Sequence, residues 1–197
     1  MVTANAETLT ANQVARRARV IDAALELAAE GGYDAVQMRD VAGRAQVALG
    51  TIYRYFSSKD HLLAACQVEL WRAQAESLHA RPPTGATPGD RVVSLLTRAM
   101  RGAETEPKRT AALVTASASP DPAVRDCQAD MMAIMDEVLL AAMTGPGGDQ
   151  LDPRRAEAIA VTLRQIWFAW VLGWVNGWND AATVSRQLET ATRLLLT

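Results

Sequence analysis

Apolar residues recur every three or four positions along most of this chain, which is the spacing of one face of an α-helix. The first such run covers residues 10–30 and ends at a Gly-Gly pair. Two much shorter amphipathic runs follow, residues 38–45 and 49–56, with Gln46 and Val47 at the corner between them. The pattern therefore predicts one long helix and then a pair of short helices joined by a tight turn.

Six further helices are predicted after this pair, separated by breaks rich in proline and glycine. They cover residues 59–80, a stretch from Pro88, residues 107–118, a stretch reaching Met143, one opening at Asp152-Pro153, and one from Ala181. We therefore predict an all-α protein of nine helices. We place a helix-turn-helix domain at residues 1–58 and a larger helical domain at residues 59–197. Residues 1–9 are expected to be disordered, and residues 145–148 to form a flexible break.

Composition supports the helical prediction, since hydrophobic residues make up 49% of the 197 positions and aromatic residues only 5%. The net charge of -2 does not by itself point to nucleic acid. Residues 37–59, however, hold four basic residues against one acidic residue, Asp40. The basic residues are Arg39, Arg44, Arg54 and Lys59. Because counterion release depends on the local footprint of charge, this segment is a candidate for contact with a nucleic acid.

The second short helix carries residues suited to such contact. Ile52 and Phe56, four positions apart, are expected to face inward, with Tyr53 at the border of the two faces. The outward face is then expected to carry Thr51, Arg54 and Tyr55. Hydroxyl and guanidinium groups hydrogen-bond to phosphates and base edges, and a helix-turn-helix places such a face in the DNA major groove. An ordinary helical hairpin with a solvated polar face is the alternative.

Several other classes of protein are disfavoured. Cys66 and Cys127 lack a metal-binding or redox spacing and are expected to be reduced thiols. The two histidines, His61 and His79, are accompanied by no acid pair or nucleophile elbow, so we expect neither an enzyme nor a cofactor. No signal peptide or apolar stretch of about 18 residues is evident, so a cytoplasmic protein without membrane contact is expected. A helical dimerisation or adaptor protein without DNA binding remains the main rival.

The strongest evidence is a run of specific residues from the second short helix onward. The run is Gly50, Thr51, Ile52, Tyr53, Arg54, Tyr55, Phe56, Ser58, Lys59, Leu62 and Leu63. It closely resembles the DNA-binding domain of the TetR family of bacterial repressors. Two departures stand out. The corner position, often glycine in that family, is Gln46, so we expect the turn to close without a positive φ. The recognition helix, which often begins with lysine in that family, begins here with Ala48-Leu49. This removes a positive charge and leaves an apolar group that could contact a thymine methyl group.

We predict two groups of contact residues for the binding of a palindromic operator. The residues placed to touch bases are Gln37, Arg39, Leu49, Gly50 and Arg54, with Gly50 allowing close approach of the backbone. Side chains placed on phosphates are Thr51, Tyr53, Tyr55 and Lys59. Arg16, in a basic cluster near the start of the first helix, either contacts flanking phosphate or is simply solvated.

Four tryptophans follow one another along the eighth predicted helix, at positions 167, 170, 174 and 178. By resemblance, the last two helices pair with those of a second copy in a homodimer; the alternative is that the tryptophans only fill the subunit's own core. Helices five to eight would enclose a cavity for a bulky hydrophobic effector. Its candidate lining is Met100, Met131, Met132, Met135, Trp167 and Trp170, although such residues also form ordinary core. Within the family, the chain looks most like actinobacterial repressors of cholesterol and steroid catabolism, which implies a steroid-derived acyl-CoA as effector.

Overall fold

The computed structural model describes residues 10–144 and 151–196, without the side chain of His79, and all regular structure in this part is helical. Nine helices are described, which confirms the all-α prediction. They are α1 (Ala11–Ala35), α2 (Met38–Ala45), α3 (Leu49–Tyr55), α4 (Lys59–Ala80), α5 (Pro88–Thr105), α6 (Pro107–Ser117), α7 (Pro122–Thr144), α8 (Pro153–Val175) and α9 (Ala181–Leu195). The expectations for residues 1–9 and 145–148 fall outside the described residues.

Local signals in the sequence determine where several helices begin and break. Thr10 forms a capping box with Gln13 at the start of α1, and Thr87 does the same with Asp90 at the start of α5. The backbone of α1 leaves helical geometry at Gly32, where φ is 73° and ψ is -158°. That conformation is essentially restricted to glycine, so the break falls at the predicted Gly-Gly pair before one further turn continues to residue 35.

The first three helices enclose a small apolar core together with parts of α4 and α6. Val20, Ile52 and Phe56 are almost fully buried in it. From outside the three-helix unit it receives, among others, Leu62, Leu63 and Cys66 of α4 and Ala112, Leu113 and Ala116 of α6. We call α1–α3 with this core the head. The head is therefore packed on α6, and the boundary predicted between residues 58 and 59 stays a prediction.

A second and larger core joins α4, α5, α7, α8 and α9. Trp71 of α4 meets Trp167 of α8 edge to face, with ring centroids 6.1 Å apart. Arg91 is buried, and its Nε and one terminal nitrogen donate to the carbonyls of Ala142 and Met143, each at 2.8 Å. These bonds satisfy backbone acceptors in the last turn of α7, which a helix end otherwise leaves unpaired.

Helix α8 corrects one expectation from the sequence. By length and composition alone α8 is apolar enough to cross a membrane, and it is the one such helix among the described residues. The prediction that no stretch is long and apolar enough was therefore wrong. A core helix of a soluble protein passes the same test. Here α8 packs against α6, α7 and α9, and Ile159, Leu163 and Trp167 face the core.

Candidate functional site

The corner between α2 and α3 closes through a left-handed residue. Gln46 has φ 53° and ψ 49°, and its N–H donates to the carbonyls of Ala42 and Gly43. The expectation that the turn would avoid positive φ was therefore wrong. A non-glycine residue in this region carries a steric cost, which the turn's hydrogen bonds, including Val47 N–H to the Ala42 carbonyl at 3.1 Å, offset.

Helix α3 has one buried face and one open face, and the two tyrosines are distributed differently from the prediction. Ile52 and Phe56 are buried as expected. Tyr53, expected at the border, is 52% exposed and points outward beside the exposed Arg54. Tyr55, expected on the outer face, is half-buried against the head core. Its hydroxyl is buried and has no hydrogen-bond partner in the described part of the chain, so it is not available to a phosphate in this conformation.

The other residues of α3 that were predicted to contact DNA are also either exposed to solvent or half-buried. Gly50 is exposed, and a Cβ built there would meet nothing within 4 Å. Leu49 is half-buried and packs against the head core, and Thr51 is half-buried as well. The open part of α3 therefore consists mainly of Gly50, Tyr53 and Arg54.

Lys59, predicted to contact phosphate, lies at the first position of α4 and is held by Tyr33. Its Nζ is 3.6 Å from the centre of the Tyr33 ring and 3.3 Å from the Tyr33 carbonyl oxygen, to which it donates. The Tyr33 hydroxyl donates in turn to Asp60, and this bond raises the pKa of Tyr33 to about 12. The ammonium group is thus fixed in position at the edge of the head.

The other cations of the head differ in how far their charge is already compensated. Arg44 donates to both carboxylate oxygens of Glu30 and lies 3.6 Å from Glu26. The Arg44 guanidinium lowers the pKa of Glu30. Arg16 and Arg39, by contrast, are exposed, and neither has an ion pair with a described residue. Arg54 also lacks an ion pair of this kind, although its guanidinium carbon lies 5.4 Å from the Tyr55 ring centre.

Gln37, the first candidate in the chain for a base contact, is exposed just before α2. Its Nε2 donates to the carbonyl of Asp34 at 2.9 Å, which leaves the side-chain oxygen and the second amide hydrogen for another partner. The structure therefore leaves six of the ten predicted DNA contacts exposed: Arg16, Gln37, Arg39, Gly50, Tyr53 and Arg54. Leu49, Thr51, Tyr55 and Lys59 are half-buried.

A carboxylate from the larger domain binds the end of the helix-turn-helix, and the sequence reading missed it. Asp121, between α6 and α7, accepts from Ser57 Oγ at 3.1 Å and Ser58 Oγ at 2.9 Å. The N–H of Ala123 donates to its other oxygen, and these bonds lower the pKa of Asp121. His61 Nδ1 accepts from the Ser57 N–H, and burial lowers the His61 pKa. The only sequence signal was the Ser119–Pro122 break, which gave no partner.

Two adjoining cavities lie in the larger domain, within the region where an effector site was expected. Cavity A, about 250 Å³, lies between α4, α5, α6 and α8. Cavity B, about 200 Å³, lies beside it, between α6, α7 and α8, with α4 at its edge. The two share Gln67, Trp71, Val114, Trp167 and Val171 in their walls. The edge-to-face contact of Trp71 with Trp167 therefore stands at their common boundary.

Four of the six candidate lining residues border one of these cavities. Met131, Met135 and Trp167 line cavity B, as does Met132, and Trp167 also lines cavity A. Met100 and Trp170 line neither cavity: Met100 is 1% exposed within the core, and Trp170 packs partly against that core. The sequence reading missed the contribution of α4, which comes from Gln67, Leu70, Trp71 and Gln74.

These features together define a class of protein: a DNA-binding regulator with a helix-turn-helix head and a separate helical domain that contains cavities. Residues 20–66 match the family model of bacterial regulatory proteins of the tetR family, and residues 85–195 match the tetracyclin repressor-like C-terminal domain. The chain belongs to the TetR family and is a transcriptional repressor of that family. Members bind DNA operators and small-molecule effectors, typically as dimers.

Individual relatives agree with this assignment. The chain is 36% identical to the HTH-type transcriptional repressor KstR of Rhodococcus jostii over 93% of its own length and 84% of that protein. It is 35% identical to KstR of Mycobacterium tuberculosis, over 99% and 87%. These relatives are transcriptional repressors and not enzymes, in agreement with the expectation from the sequence.

Solved structures share the fold. A TetR transcriptional regulator from Rhodococcus sp. RHA1 superimposes with a TM-score of 0.82 at 30% identity, covering 94% of this chain and 98% of that one. The lauroyl-CoA complex of Thermus thermophilus FadR, a TetR-family repressor, has a TM-score of 0.71 at 23% identity and covers 91% and 93%. At that identity the FadR likeness concerns the fold alone.

Proposed function

We propose that this repressor binds a palindromic operator as a homodimer and is released from it by a bulky, largely apolar effector. The observation that carries the DNA half of the proposal is the open face of α3. Gly50, Tyr53 and Arg54 are exposed there, and the helix contains no acidic residue. A duplex repels carboxylates and attracts guanidinium groups, so this face is matched to a major groove.

The residues of the head divide into two roles in this proposal. Gln37, Arg39, Leu49, Gly50 and Arg54 read bases, with Gly50 allowing close approach of the backbone. Arg16, Thr51, Tyr53 and Lys59 fix the register on phosphates. Tyr55 leaves this set, because its hydroxyl is buried, and acts instead as support for α3.

The homodimer is proposed to form through α8 and α9. Val161 and Phe168, seven positions apart on α8, are 43% and 37% exposed, and Leu194 of α9 is 74% exposed. Large apolar side chains exposed on neighbouring helices are typical of an interaction surface. A two-fold symmetric dimer would set its recognition helices roughly 34–36 Å apart, which is one turn of DNA, and so read a palindromic operator. We propose that it does so in the cytoplasm.

The effector is proposed to bind in cavities A and B, and a steroid-derived acyl-CoA thioester is the candidate. Ligand pockets in proteins usually have at least about 300 Å³, which neither cavity reaches alone. A bulky effector would therefore occupy both and displace the Trp71–Trp167 contact. The apolar walls and adaptable methionines suit a rigid hydrocarbon body. The thioester is suggested by the resemblance to repressors of steroid catabolism.

Helix α6 is the proposed link between effector and DNA. Arg109, Thr110 and Val114 line the cavities, while Ala112 and Ala116 of the same helix belong to the head core. The effector would move α6 and with it the spacing of the two heads. The effector binds the conformation that releases DNA more tightly than the conformation that binds DNA. The ratio of these two effector affinities is the upper limit for the loss of operator affinity.

The test uses DNA from the region upstream of the gene and fluorescence anisotropy at several salt concentrations. We expect Arg54→Ala, at a base-reading position, to weaken binding to the operator. Arg16→Ala, at an exposed phosphate-binding position, should reduce the slope of log affinity against log salt by about 1. Arg44→Ala is the matched control, because its charge is already compensated by Glu30, and its salt slope should equal that of the wild type. Salt-independent or absent binding to every duplex tested would instead favour a helical adaptor that does not bind DNA.

A further inference from the structure

The walls of cavities A and B contain one arginine each and no aspartate or glutamate, as far as the described residues extend. In cavity B the Nε of Arg164 donates to Asp136 at 2.8 Å, so that charge has a partner. In cavity A the half-buried Arg109 has no hydrogen bond or ion pair with any described residue. Cavity A therefore holds a cation whose charge the surrounding protein does not compensate.

A second polar group in cavity A is also without a partner. Gln74 lines this cavity, and its Nε2 is one of two buried side-chain nitrogen or oxygen atoms in the described residues that make no hydrogen bond. The other is the Tyr55 hydroxyl in the head, and Tyr55 lines neither cavity. A half-turn of the Gln74 amide exchanges its nitrogen and oxygen, so the group can turn its donor toward the cavity. The rest of the wall is mainly apolar.

Partial removal of a guanidinium group from water is unfavourable unless an acceptor replaces the water, and the same holds for a buried amide donor. Arginine has five donors in a planar fork that fits the oxygens of a carboxylate or phosphate. We propose that cavity A binds the acidic end of the effector, with Arg109 as the anchor and Gln74 as a second donor. This inference rests on the proposed function and deepens it by placing the effector's anionic group, either a carboxylate or the phosphate of a thioester, in cavity A and not in cavity B.

The position of Arg109 gives the anion a direct connection to the head. The neighbouring Lys108 donates its Nζ to the carbonyl oxygen of Glu30 in α1, at 3.0 Å. Both side chains belong to the first turn of α6. An anion that draws Arg109 into cavity A therefore acts on the turn of α6 that contacts α1.

The test compares three forms of one ligand that differ only at the acidic end: lithocholic acid, its coenzyme A thioester, and its uncharged methyl ester. Binding to the full-length protein is followed by tryptophan fluorescence, since Trp71 and Trp167 stand in the cavity walls. The variants are Arg109→Gln and Arg109→Lys. Arg101→Gln removes an exposed arginine of α5 that does not line cavity A and is the matched control.

We expect Arg109→Gln to weaken binding of an anionic form by roughly 10- to 100-fold, the range for a lost charged hydrogen bond. The methyl ester should change by less than about threefold, Arg109→Lys should lie in between, and Arg101→Gln should match the wild type. If Arg109→Gln loses affinity only for the free acid, the carboxylate is the bound anion. If it loses affinity only for the thioester, the phosphate is the bound anion. An equal loss for the acid, thioester and ester would show a merely structural role and overturn the inference.

The wild-type protein gives a reading that does not depend on how the variants fold. If the methyl ester binds as tightly as both anionic forms and releases DNA as well, the inference fails while the proposed function stands. If Arg109→Gln weakens binding of an anionic form but the protein binds none of the DNA duplexes tested, the proposed function fails while the anion site in cavity A stands.

Discussion

At the scale of single residues, Tyr53 and Tyr55 are two phenols of one helix with opposite surroundings. Tyr53 is 52% exposed, whereas the Tyr55 hydroxyl is buried without a partner among the described residues. We expect Tyr53→Phe to weaken operator binding by roughly fivefold, since a phosphate hydrogen bond contributes about 1 kcal/mol. Tyr55→Phe should leave binding unchanged and raise the melting temperature slightly, because it removes an unsatisfied hydroxyl. Anisotropy and thermal denaturation of both variants check this, and weaker binding by Tyr55→Phe would contradict the assignment.

The error over these tyrosines shows what the sequence does determine at this scale. A residue three positions along a helix lies closer to the face of the first residue than its immediate neighbour does. Tyr55 is three positions after Ile52, so the inward position was available from spacing alone. The Asp121 contact with Ser57 and Ser58 was not, because it joins residues more than 60 positions apart and depends on how α6 and α7 pack.

At the scale of elements, the corner residue Gln46 is the point where sequence and geometry disagree most clearly. Its φ of 53° lies in a region that glycine adopts without penalty. We expect Gln46→Gly to raise the free energy of unfolding by up to about 1 kcal/mol, and the β-branched Gln46→Val to lower it. Urea denaturation measures both, with the exposed Gln37→Gly, at an extended backbone position, as the control for glycine's entropy cost. A destabilised Gln46→Gly would mean that the side chain itself stabilises the turn.

Helix limits were predictable because their signals are local. Pro88, Pro107, Pro122 and Pro153 each begin a helix close to where the sequence placed it, since proline suits the first helical turn. The double role of α6 was not predictable in this way. Its residues form part of a cavity wall on one side and part of the head core on the other, and no spacing rule states which helix a given apolar face will meet.

At the scale of the whole molecule, cavities are properties of packing between elements and not of any one element. Met131 and Met135 of α7 were predictable as inward-facing because they lie four positions apart on one helix. Trp71, Gln74 and Arg109 were missed because α4 and α6 had no recognisable ligand motif. The cavity walls thus depend on how α4 and α6 lie against α8, which is set by the second core and not by local sequence.

The dimer surface gives a prediction that belongs to the assembled molecule. Val161 is 43% exposed on α8 and lines neither cavity, so its replacement tests association without altering the effector site. We expect Val161→Glu to weaken the dimer by about 100-fold or more, because a two-fold interface would bury the new charge twice without a partner. Sedimentation velocity measures this loss, and operator affinity should fall with it, since a palindrome requires both heads.

The matched control is Val14→Glu, which places the same charge at a valine of α1 that is 53% exposed, on the head and away from α8 and α9. It should leave the sedimentation coefficient of the dimer unchanged. Because Val161 is exposed in the single subunit, a Val161→Glu chain should keep the helical content and thermal unfolding of a folded subunit even when it sediments as a monomer. A variant that remains a dimer would show that α8 meets only its own core, and the operator would then have to be read by another arrangement of heads.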